Sequence, residues 1–290
     1  MIKIKDILNL IRIKHWIKNV LIIIPLFFSI PTLNNSIILN TLLGLFSFCL
    51  ISSSIYIYND ICDKDLDQKH KIKSNRPIAK GVIKISHAYI IMIVLLIISI
   101  TINIIFIHNI YGVALIFIYF ILNILYSLKI KNIPMLDIIA LVSCFIIRLL
   151  YGAFITNIVI SKWLYLTVMF ISFFMVFGKR RNEIIMQKNI SRKVLKYYNE
   201  NFLDKYMNIS LVLSLVFYSL WTIDSETVLR HGNDYIIYTV PLVFIIFMRY
   251  SLILEGKSYG DPVDILTTDK ILIYLIIIYL TILILIMYIL

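Results

Sequence analysis

A cluster of acidic side chains lies between two long apolar segments, in the stretch YIYNDICDKDLDQKHKIKSNRP at residues 56–77. The chain has only 16 acidic residues, and four of them fall within eight positions: Asp60, Asp63, Asp65 and Asp67. If this stretch is helical, Asp60, Asp63 and Asp67 share one face, with Asn59 one turn before Asp63. Like charges at these intervals destabilise a helix unless a cation lies between them. Hard oxygen ligands suit Mg²⁺, which commonly bridges to substrate phosphates.

This acidic face has two interpretations. It is a Mg²⁺ site on a substrate diphosphate, or it is a solvated, mixed-charge loop that only sets membrane topology. The scarcity of acidic residues elsewhere favours the metal site. Lys73 and Arg76 follow directly, before Pro77 and Gly81 break the chain. Because arginine offers a bidentate fork and lysine a point charge, both residues are predicted to bind phosphate.

Three further groups of residues could contact a charged substrate. In RIKHWIKN, residues 12–19, Lys14 and Lys18 lie one helical turn apart, which is typical of an interfacial anchor or a lipid-headgroup site. Arg148 lies halfway along an apolar run, and an arginine at that depth normally faces a polar cavity or a partner. The third group comprises YSLK at 126–129 and GKRRNE at 178–183, each at the end of an apolar run. A polar loop at 254–270 is either a lid or a plain connection.

Membrane helices must position these residues, because the chain is too apolar for a soluble protein of its length. It has 290 residues, of which 61% are hydrophobic and 15% charged, and its mean hydropathy is +0.93. Continuous apolar runs of roughly 18 to 25 residues span a bilayer as helices, whereas barrel strands would alternate in polarity. The sequence therefore predicts an all-α integral membrane protein with nine spans: 16–33, 36–58, 86–106, 110–128, 135–156, 162–178, 206–223, 234–250 and 271–290.

The chain is predicted to form a single polytopic membrane domain over residues 1–290. No soluble domain and no cleavable signal peptide are expected, because the first apolar run ends in PLFFSIPTLNN without a small-residue cleavage site. Cys49, Cys62 and Cys144 lack paired spacing, so neither metal binding nor disulfides are expected of them.

The basic residues predict the orientation in the membrane. Nine spans place segments with 25 of the 28 lysines and arginines on one side, so the N-terminus is predicted to be cytoplasmic and the C-terminus extracytoplasmic. The net charge of +12 is then one-sided and attracts anionic lipid headgroups or a multiply charged phosphate substrate. Nucleic acid is not an expected partner, since no basic, aromatic-interleaved soluble module is present.

Several motifs together resemble a known family. NDICDKDLD, residues 59–67, fits N-D-x-x-D-x-x-x-D, the first acidic motif of the UbiA-type intramembrane prenyltransferase superfamily. That superfamily has a second acidic motif, D-x-x-x-D, at the end of the sixth span, where this chain has the basic GKRRNE. The replacement is similar to the G-K-R-x-x-E element of the decaprenyl-phosphate phosphoribosyltransferase branch. RIKHWIKN, YSLKIKNIPMLDIIALVSCFIIR and MRYSLILEGKSYGDPVDILTTDK also resemble segments of that branch.

The resemblance implies a helical bundle around a central cavity, with a cytoplasmic cap where Mg²⁺ and a diphosphate bind. It implies transfer of 5-phosphoribose from phosphoribosyl pyrophosphate to a polyprenyl phosphate, with release of diphosphate, for cell-envelope glycolipid precursors. Asp60, Asp63 and Asp67 would be the catalytic residues, and with Asn59 they would hold the metal. The implied substrate-binding residues are Lys14, Lys18, Tyr56, Lys73, Arg76, Tyr126, Lys129, Arg148, Lys179 and Arg180. Whether copies of the chain associate in the membrane is left open.

Two other functions remain as alternatives. A conventional prenyltransferase of the same superfamily would use an allylic prenyl diphosphate and an aromatic or glycerol-phosphate acceptor. A membrane transporter would also explain many spans and an intramembrane arginine, but it predicts helices interrupted by Gly or Pro at mid-membrane in both halves. Interior Gly and Pro are sparse in this chain.

Overall fold

The structure, a computed structural model, describes residues 4–27, 34–69, 73–186, 193–256 and 260–289. Regular structure in these ranges is helical, and no strand occurs among them. The α-helices are α1 (Ile4–Ile11), α2 (Ile24–Phe27), α3 (Asn35–Cys62), α4 (Lys64–Gln68), α5 (Ile85–Ile102), α6 (Ile110–Leu128), α7 (Leu136–Thr156), α8 (Lys162–Met186), α9 (Glu200–Thr222), α10 (Ser225–His231), α11 (Val240–Glu255), α12 (Pro262–Thr268) and α13 (Lys270–Tyr288). A π-helical turn, Asn103–Ile107, extends α5, and the 3₁₀ helices are Ile13–Ile23, Lys73–Asn75, Ile130–Asn132, Lys193–Tyr197 and Tyr235–Thr239.

The predicted class, an all-helical membrane protein, is confirmed. Seven helices in the described ranges are long and apolar enough to cross a membrane. An eighth span is formed if α9 and α10, which bend by 52° at their junction, are taken together.

The first predicted span, 16–33, has a different local structure from the others. An 11-residue 3₁₀ helix, Ile13–Ile23, is followed by the single turn of α2, and residues 28–33 lie outside the described residues. The structure therefore does not confirm nine spans. The prediction of a single domain over 1–290 also stays a prediction.

By its internal contacts the chain divides into two compact units, residues 1–140 with 147–158, and 141–146 with 159–290. In the first unit α3 packs against α5, α6 and the 3₁₀ helix Ile13–Ile23. Its helices are joined by buried polar contacts: Asn103 Nδ2 donates to Ser47 Oγ at 2.5 Å, and Tyr151 Oη donates to Asn103 Oδ1 at 2.7 Å. Because the hydrophobic effect does little to drive helix association within lipid, such hydrogen bonds and small interfacial residues stabilise the packing.

The second unit is built on the close packing of α8 against α9, with α11 against α13. Aromatic side chains fill its interfaces; Phe174 on α8 contacts Tyr250 on α11 with ring centroids 5.5 Å apart. In each unit, the first long helix carries a charged segment near its C-terminal end. The acidic motif lies at the end of α3, and the basic GKRRNE lies near the end of α8.

Candidate active site

The acidic motif is helical throughout, as the spacing requires. α3 ends at Cys62 and α4 begins at Lys64, but helical hydrogen bonds bridge the junction at Asp63. The Asp63 amide donates to the Asn59 carbonyl at 2.9 Å, and the Asp67 amide donates to the Asp63 carbonyl at 2.8 Å. Asn59, Asp63 and Asp67 therefore occupy successive turns, and Asp65 is exposed.

Asp60 is buried between two arginines. Its side chain is 2% exposed, and it accepts hydrogen bonds from Arg12 and, at 3.0 Å, from Nη1 of Arg76. A buried carboxylate is tolerated only where such partners compensate its lost hydration. Asp60 therefore anchors two cations from different parts of the sequence.

Arg76 also joins Asp60 to Asp67. The same Nη1 atom lies 2.5 Å from Oδ2 of Asp67, whose side chain is also buried. Because one guanidinium nitrogen contacts both carboxylates, Asp60 and Asp67 are neighbours across Arg76.

Asn59 and Asp63 contact the end of α6 and the loop after it. Ser127 Oγ donates to Oδ1 of Asn59 at 3.1 Å, and Lys131 Nζ lies 2.5 Å from Oδ1 of Asp63. The carboxylate and the ammonium are both partly exposed, at 19% and 17%. The Asn59 amide oxygen and the Asp63 carboxylate therefore face one short segment of the chain.

Arg12 reaches the site through an unusual backbone conformation. It joins α1 to the 3₁₀ helix in the left-handed region, at φ 53°, which non-glycine residues rarely adopt. Its guanidinium lies over the ring of Tyr56, 5.1 Å from the centroid. The segment is fixed to α3 because Ser53 Oγ donates to the Ile11 carbonyl at 2.8 Å and Trp16 Nε1 donates to Ser53 Oγ at 2.9 Å.

The oxygen atoms of the motif are of the chemical type that a magnesium ion prefers. They are hard oxygens, from the Asn59 amide and the Asp63 and Asp67 carboxylates, on successive helical turns; Mg²⁺ takes few such ligands and completes its octahedron with water and substrate phosphate. Within the described ranges, no three His, Cys, Asp or Glu side chains converge into a metal site, and the carboxylates instead face Arg12, Arg76 and Lys131.

Arg148 belongs to a different, buried network of the first unit. It is 3% exposed. Its Nε donates to Asn19 Oδ1 and its Nη2 to the Tyr119 hydroxyl, both at 2.7 Å, and the guanidinium also lies over the Phe48 ring. One turn further along α7, a Cβ on Gly152 would overlap the Ile22 carbonyl. Arg148 and Gly152 together seat the 3₁₀ helix closely against α7.

The GKRRNE segment of the second unit is an ion-paired cluster. Lys179 Nζ lies 2.7 Å from Asp261, Arg180 Nη1 lies 2.7 Å from Glu183, and Arg181 Nε lies 2.5 Å from Asp204. Arg180 is fully buried.

The polar loop after α11 docks on this cluster. Gly260 has φ +73°, and a Cβ there would press on Asn182 and on the backbone of Gly178 and Lys179. Asp261 then caps α12 by accepting from the Val263 amide at 3.0 Å while it pairs with Lys179. The described part of the loop, from Gly260, is thus tied to the end of α8.

The structure brings the predicted residues together in three groups. Asn59, Asp60, Asp63, Asp67, Arg76 and Tyr56 share one site, Lys179 and Arg180 lie in the second unit, and Arg148 lies in the buried network. Lys14 and Lys129 are exposed, and Lys18, Lys73 and Tyr126 are partly buried.

The sequence did not predict Arg12, Ser127 and Lys131 as partners of the motif. In the sequence, only their proximity to predicted residues points to them: Arg12 is the first residue of RIKHWIKN, and Lys131 lies two residues after Lys129.

Residues 20–261 match the sequence model described as the UbiA prenyltransferase family. The chain belongs to this family. The chain is also similar to named proteins over most of its length. The decaprenyl-phosphate phosphoribosyltransferase of Corynebacterium glutamicum is 30% identical over 271 residues, spanning 90% of this chain and 80% of that protein. The Mycobacterium tuberculosis protein of the same name is 27% identical over 276 residues, spanning 92% and 89%.

Solved structures, among them that of a UbiA homolog, share the fold. The UbiA homolog from Archaeoglobus fulgidus bound to GPP and Mg²⁺ superposes with a TM-score of 0.71 at 20% identity, covering 96% of this chain and 99% of that one. A digeranylgeranylglyceryl phosphate synthase gives 0.69 at 22% identity, covering 98% of both chains. This chain is therefore a multi-pass membrane protein with the UbiA fold.

Proposed function

We propose that this UbiA-family protein transfers 5-phosphoribose from phosphoribosyl pyrophosphate to a polyprenyl phosphate and releases diphosphate. The observation that carries the proposal is the similarity to two decaprenyl-phosphate phosphoribosyltransferases over nine-tenths of the chain. The basic end of α8 supports it, because an allylic diphosphate held between two acidic motifs would need carboxylates where Lys179 and Arg180 stand.

The acidic motif is the proposed site for the donor's diphosphate. Asn59, Asp63 and Asp67 would hold Mg²⁺, and the bound ion would supply positive charge to the leaving diphosphate. Lys131 and Arg76 now pair with Asp63 and Asp67, so both cations are placed to exchange a carboxylate for a phosphate oxygen. Electrostatic stabilisation of the leaving group is then the main catalytic contribution.

The chain itself needs no strong general base for this reaction. The bond between C1 of the ribose and the diphosphate oxygen breaks, and C1 forms a bond with an oxygen of the lipid phosphate. That oxygen is already ionised near pH 7, because the second pKa of a phosphate monoester is about 6. Arg12, fixed by Asp60 and Tyr56, would orient the anionic groups, and Lys14, Lys18, Lys73, Tyr126 and Lys129 would contact the remaining phosphate and ribose oxygens.

We also propose nine spans, a cytoplasmic N-terminus, an extracytoplasmic C-terminus and a cytoplasmic cap over a central cavity. A 3₁₀ helix rises about 2.0 Å and an α-helix about 1.5 Å per residue, so Ile13–Phe27 extends about 28 Å, close to the bilayer core of about 30 Å. The strong bias of basic residues to one side supports the orientation. The membrane would be the cell membrane, where the product would serve cell-envelope glycolipid synthesis.

The test uses purified full-length protein with phosphoribosyl pyrophosphate, a polyprenyl phosphate and Mg²⁺, and it follows diphosphate release together with the lipid product by mass spectrometry. We expect a phosphoribosylated lipid whose formation stops with EDTA. Activity only with an allylic prenyl diphosphate would contradict the proposal and favour a conventional prenyltransferase. A panel of lipid phosphates would then define the acceptor's chain length.

A further inference from the structure

The hydroxyl of Tyr250 is buried, and no described residue forms a hydrogen bond with it. Tyr250 lies on α11, is 5% exposed, and its Oη reaches no donor or acceptor among the residues that the structure describes. A buried polar group left unpaired costs about 1 to 3 kcal/mol. A phenylalanine would fill the same space without that cost, so the hydroxyl needs an explanation.

Other buried tyrosines of the protein do not share this property. Tyr151 donates to Asn103 at 2.7 Å, and Tyr119 accepts from Arg148 at the same distance. In the second unit, Tyr218 pairs with Thr239 at 2.6 Å and with Tyr279 at 3.1 Å. The general tendency of this chain is thus to satisfy its buried phenols, and Tyr250 departs from it.

Tyr250 lies beside the basic end of α8. Its ring contacts Phe174, and one turn further on, Leu254 packs directly against Gly178. In the next turn of α8, Asn182 Nδ2 donates to the Leu254 carbonyl at 2.8 Å. α8 and α11 are therefore held in register over two turns, with Tyr250 on the face that leads to GKRRNE.

The ion pair of Lys179 with Asp261, at 2.7 Å, lies next to this contact. Lys179 directly follows Gly178, which packs against Leu254, and Gly260, the neighbour of Asp261, lies against the backbone of Gly178 and Lys179. The Lys179 side chain is about one-quarter exposed. An entering anion would replace Asp261 on Lys179.

We propose that the Tyr250 hydroxyl is a donor to a phosphate monoester that binds at Lys179. A phenol O–H to a phosphate oxygen is a charge-assisted hydrogen bond, and a lysine at its side supplies the counter-charge. The hydroxyl is unpaired in the free protein because its acceptor belongs to the ligand. This inference rests on the proposed function for the substrate class, since both the donor's 5-phosphate and the lipid phosphate are monoesters.

The test compares Tyr250→Phe with Tyr218→Phe in full-length protein in detergent. Without ligand, Tyr250→Phe should unfold at or above the wild-type temperature, because it removes an unpaired group. Tyr218→Phe should unfold at a lower temperature, because it removes the hydrogen bonds of the Tyr218 hydroxyl with Thr239 and Tyr279. Thermal shift is then titrated in EDTA with ribose 5-phosphate and, separately, with farnesyl phosphate, which distinguishes the sugar from the lipid monoester.

We expect Tyr250→Phe to weaken binding of one of the two probes about tenfold, the effect of one hydrogen bond to a charged group. Lys179→Gln should weaken binding of the same probe, and Tyr218→Phe should leave it unchanged. Unchanged affinity for both probes in Tyr250→Phe, or an unfolding temperature lowered like that of Tyr218→Phe, would overturn the inference. Phosphoribosyl transfer by Tyr250→Phe with wild-type KM values would also overturn it while leaving the proposed function intact.

Discussion

Lys131 Nζ lies 2.5 Å from Oδ1 of Asp63, although 68 positions separate the two residues in the chain. The contact fastens the loop after α6 to the centre of the acidic motif. It also means that the carboxylate proposed to hold the metal carries a competing cation in the free protein. Binding of a metal–diphosphate substrate therefore has to exchange that partner.

Asp63→Asn is expected to lower phosphoribosyl transfer by at least about a hundredfold, because the metal loses its central charged ligand. The protein should still fold, since the side chain is only partly buried and Asn keeps its shape. The measurement is the initial rate of diphosphate release, with the unfolding temperature recorded in parallel.

Asp65→Asn is the matched control for this prediction. Asp65 is two positions away in the same short segment, but it is exposed and off the shared face. Its variant should keep a rate close to wild type. Near wild-type activity in Asp63→Asn would mean that the carboxylates only set topology.

Lys131→Gln is expected to strengthen metal binding in the absence of substrate. Removing the ammonium frees Asp63, so Mn²⁺ affinity measured by electron paramagnetic resonance should rise several-fold, as expected from losing a close repulsive charge. Lys129→Gln, two residues earlier and exposed, should leave the affinity unchanged. Equal Mn²⁺ affinity in wild type and Lys131→Gln would show that Asp63 does not bind the metal.

Asp60→Asn is expected to lower the stability of the folded protein more than Asp63→Asn does. Asp60 is buried between Arg12 and Arg76, and losing the charge of one member of such a cluster costs roughly 3 kcal/mol. Thermal unfolding in detergent should show a clear decrease for Asp60→Asn and almost none for Asp65→Asn. An Asp60→Asn protein as stable as wild type would contradict the anchoring role.

The sequence predicts that Asp60, Asp63 and Asp67 share one helical face, with Asn59 one turn before Asp63, and this prediction depends on a local signal, helical periodicity. The backbone hydrogen bonds across Asp63 continue the helix through the motif, whereas the metal-binding role of these residues stays a prediction. Their partners could not be predicted. Arg12 reaches Asp60 only because its own backbone adopts a left-handed conformation, and Lys131 reaches Asp63 only through the packing of the segment after α6.

The first span shows a second limit of sequence patterns. Apolar composition predicted a membrane helix over 16–33, but composition does not distinguish a 3₁₀ helix from an α-helix. The contacts of Arg148 with Asn19 and of Gly152 with Ile22 lie in this segment, and they involve residues more than 120 positions apart. Arg148 was correctly expected to need polar surroundings; its part in phosphate binding stays a prediction.

Arg148→Met is expected to loosen the 3₁₀ helix. The change removes the two hydrogen bonds that Arg148 donates to Asn19 and to the Tyr119 hydroxyl, and a hydrogen bond to a charged group contributes about 1.5 to 3 kcal/mol. Hydrogen exchange over residues 13–23 should accelerate, whereas exchange within α8 should not change. Arg148→Lys should recover part of the protection, and unchanged exchange in Arg148→Met would contradict the role of Arg148 as a clamp.

Asp269 gives the second unit a contribution to stability that depends on pH. Two hydrogen bonds from Arg249, at 2.6 and 3.1 Å, and one from the Leu272 amide lower the pKa of this carboxyl below its usual value. A carboxyl with a lowered folded-state pKa stabilises the fold above its unfolded pKa, about 3.9, and loses this effect as the pH falls through the folded pKa.

The difference in unfolding temperature between wild type and Asp269→Asn should therefore shrink as the pH falls below about 4. Asp264→Asn, an exposed neighbour on α12, serves as the comparison and should follow the wild-type pH profile. A difference that stays constant from neutral to acidic pH would show that the ion pair with Arg249 carries no pH-dependent stability.

The most direct test of the proposed function is to incubate the purified protein with phosphoribosyl pyrophosphate, a polyprenyl phosphate and Mg²⁺ and to identify the lipid product by mass spectrometry. We expect a phosphoribosyl lipid formed in equal amount to the diphosphate released, and no such product from Asp63→Asn. Release of diphosphate only when an allylic prenyl diphosphate replaces phosphoribosyl pyrophosphate would contradict it.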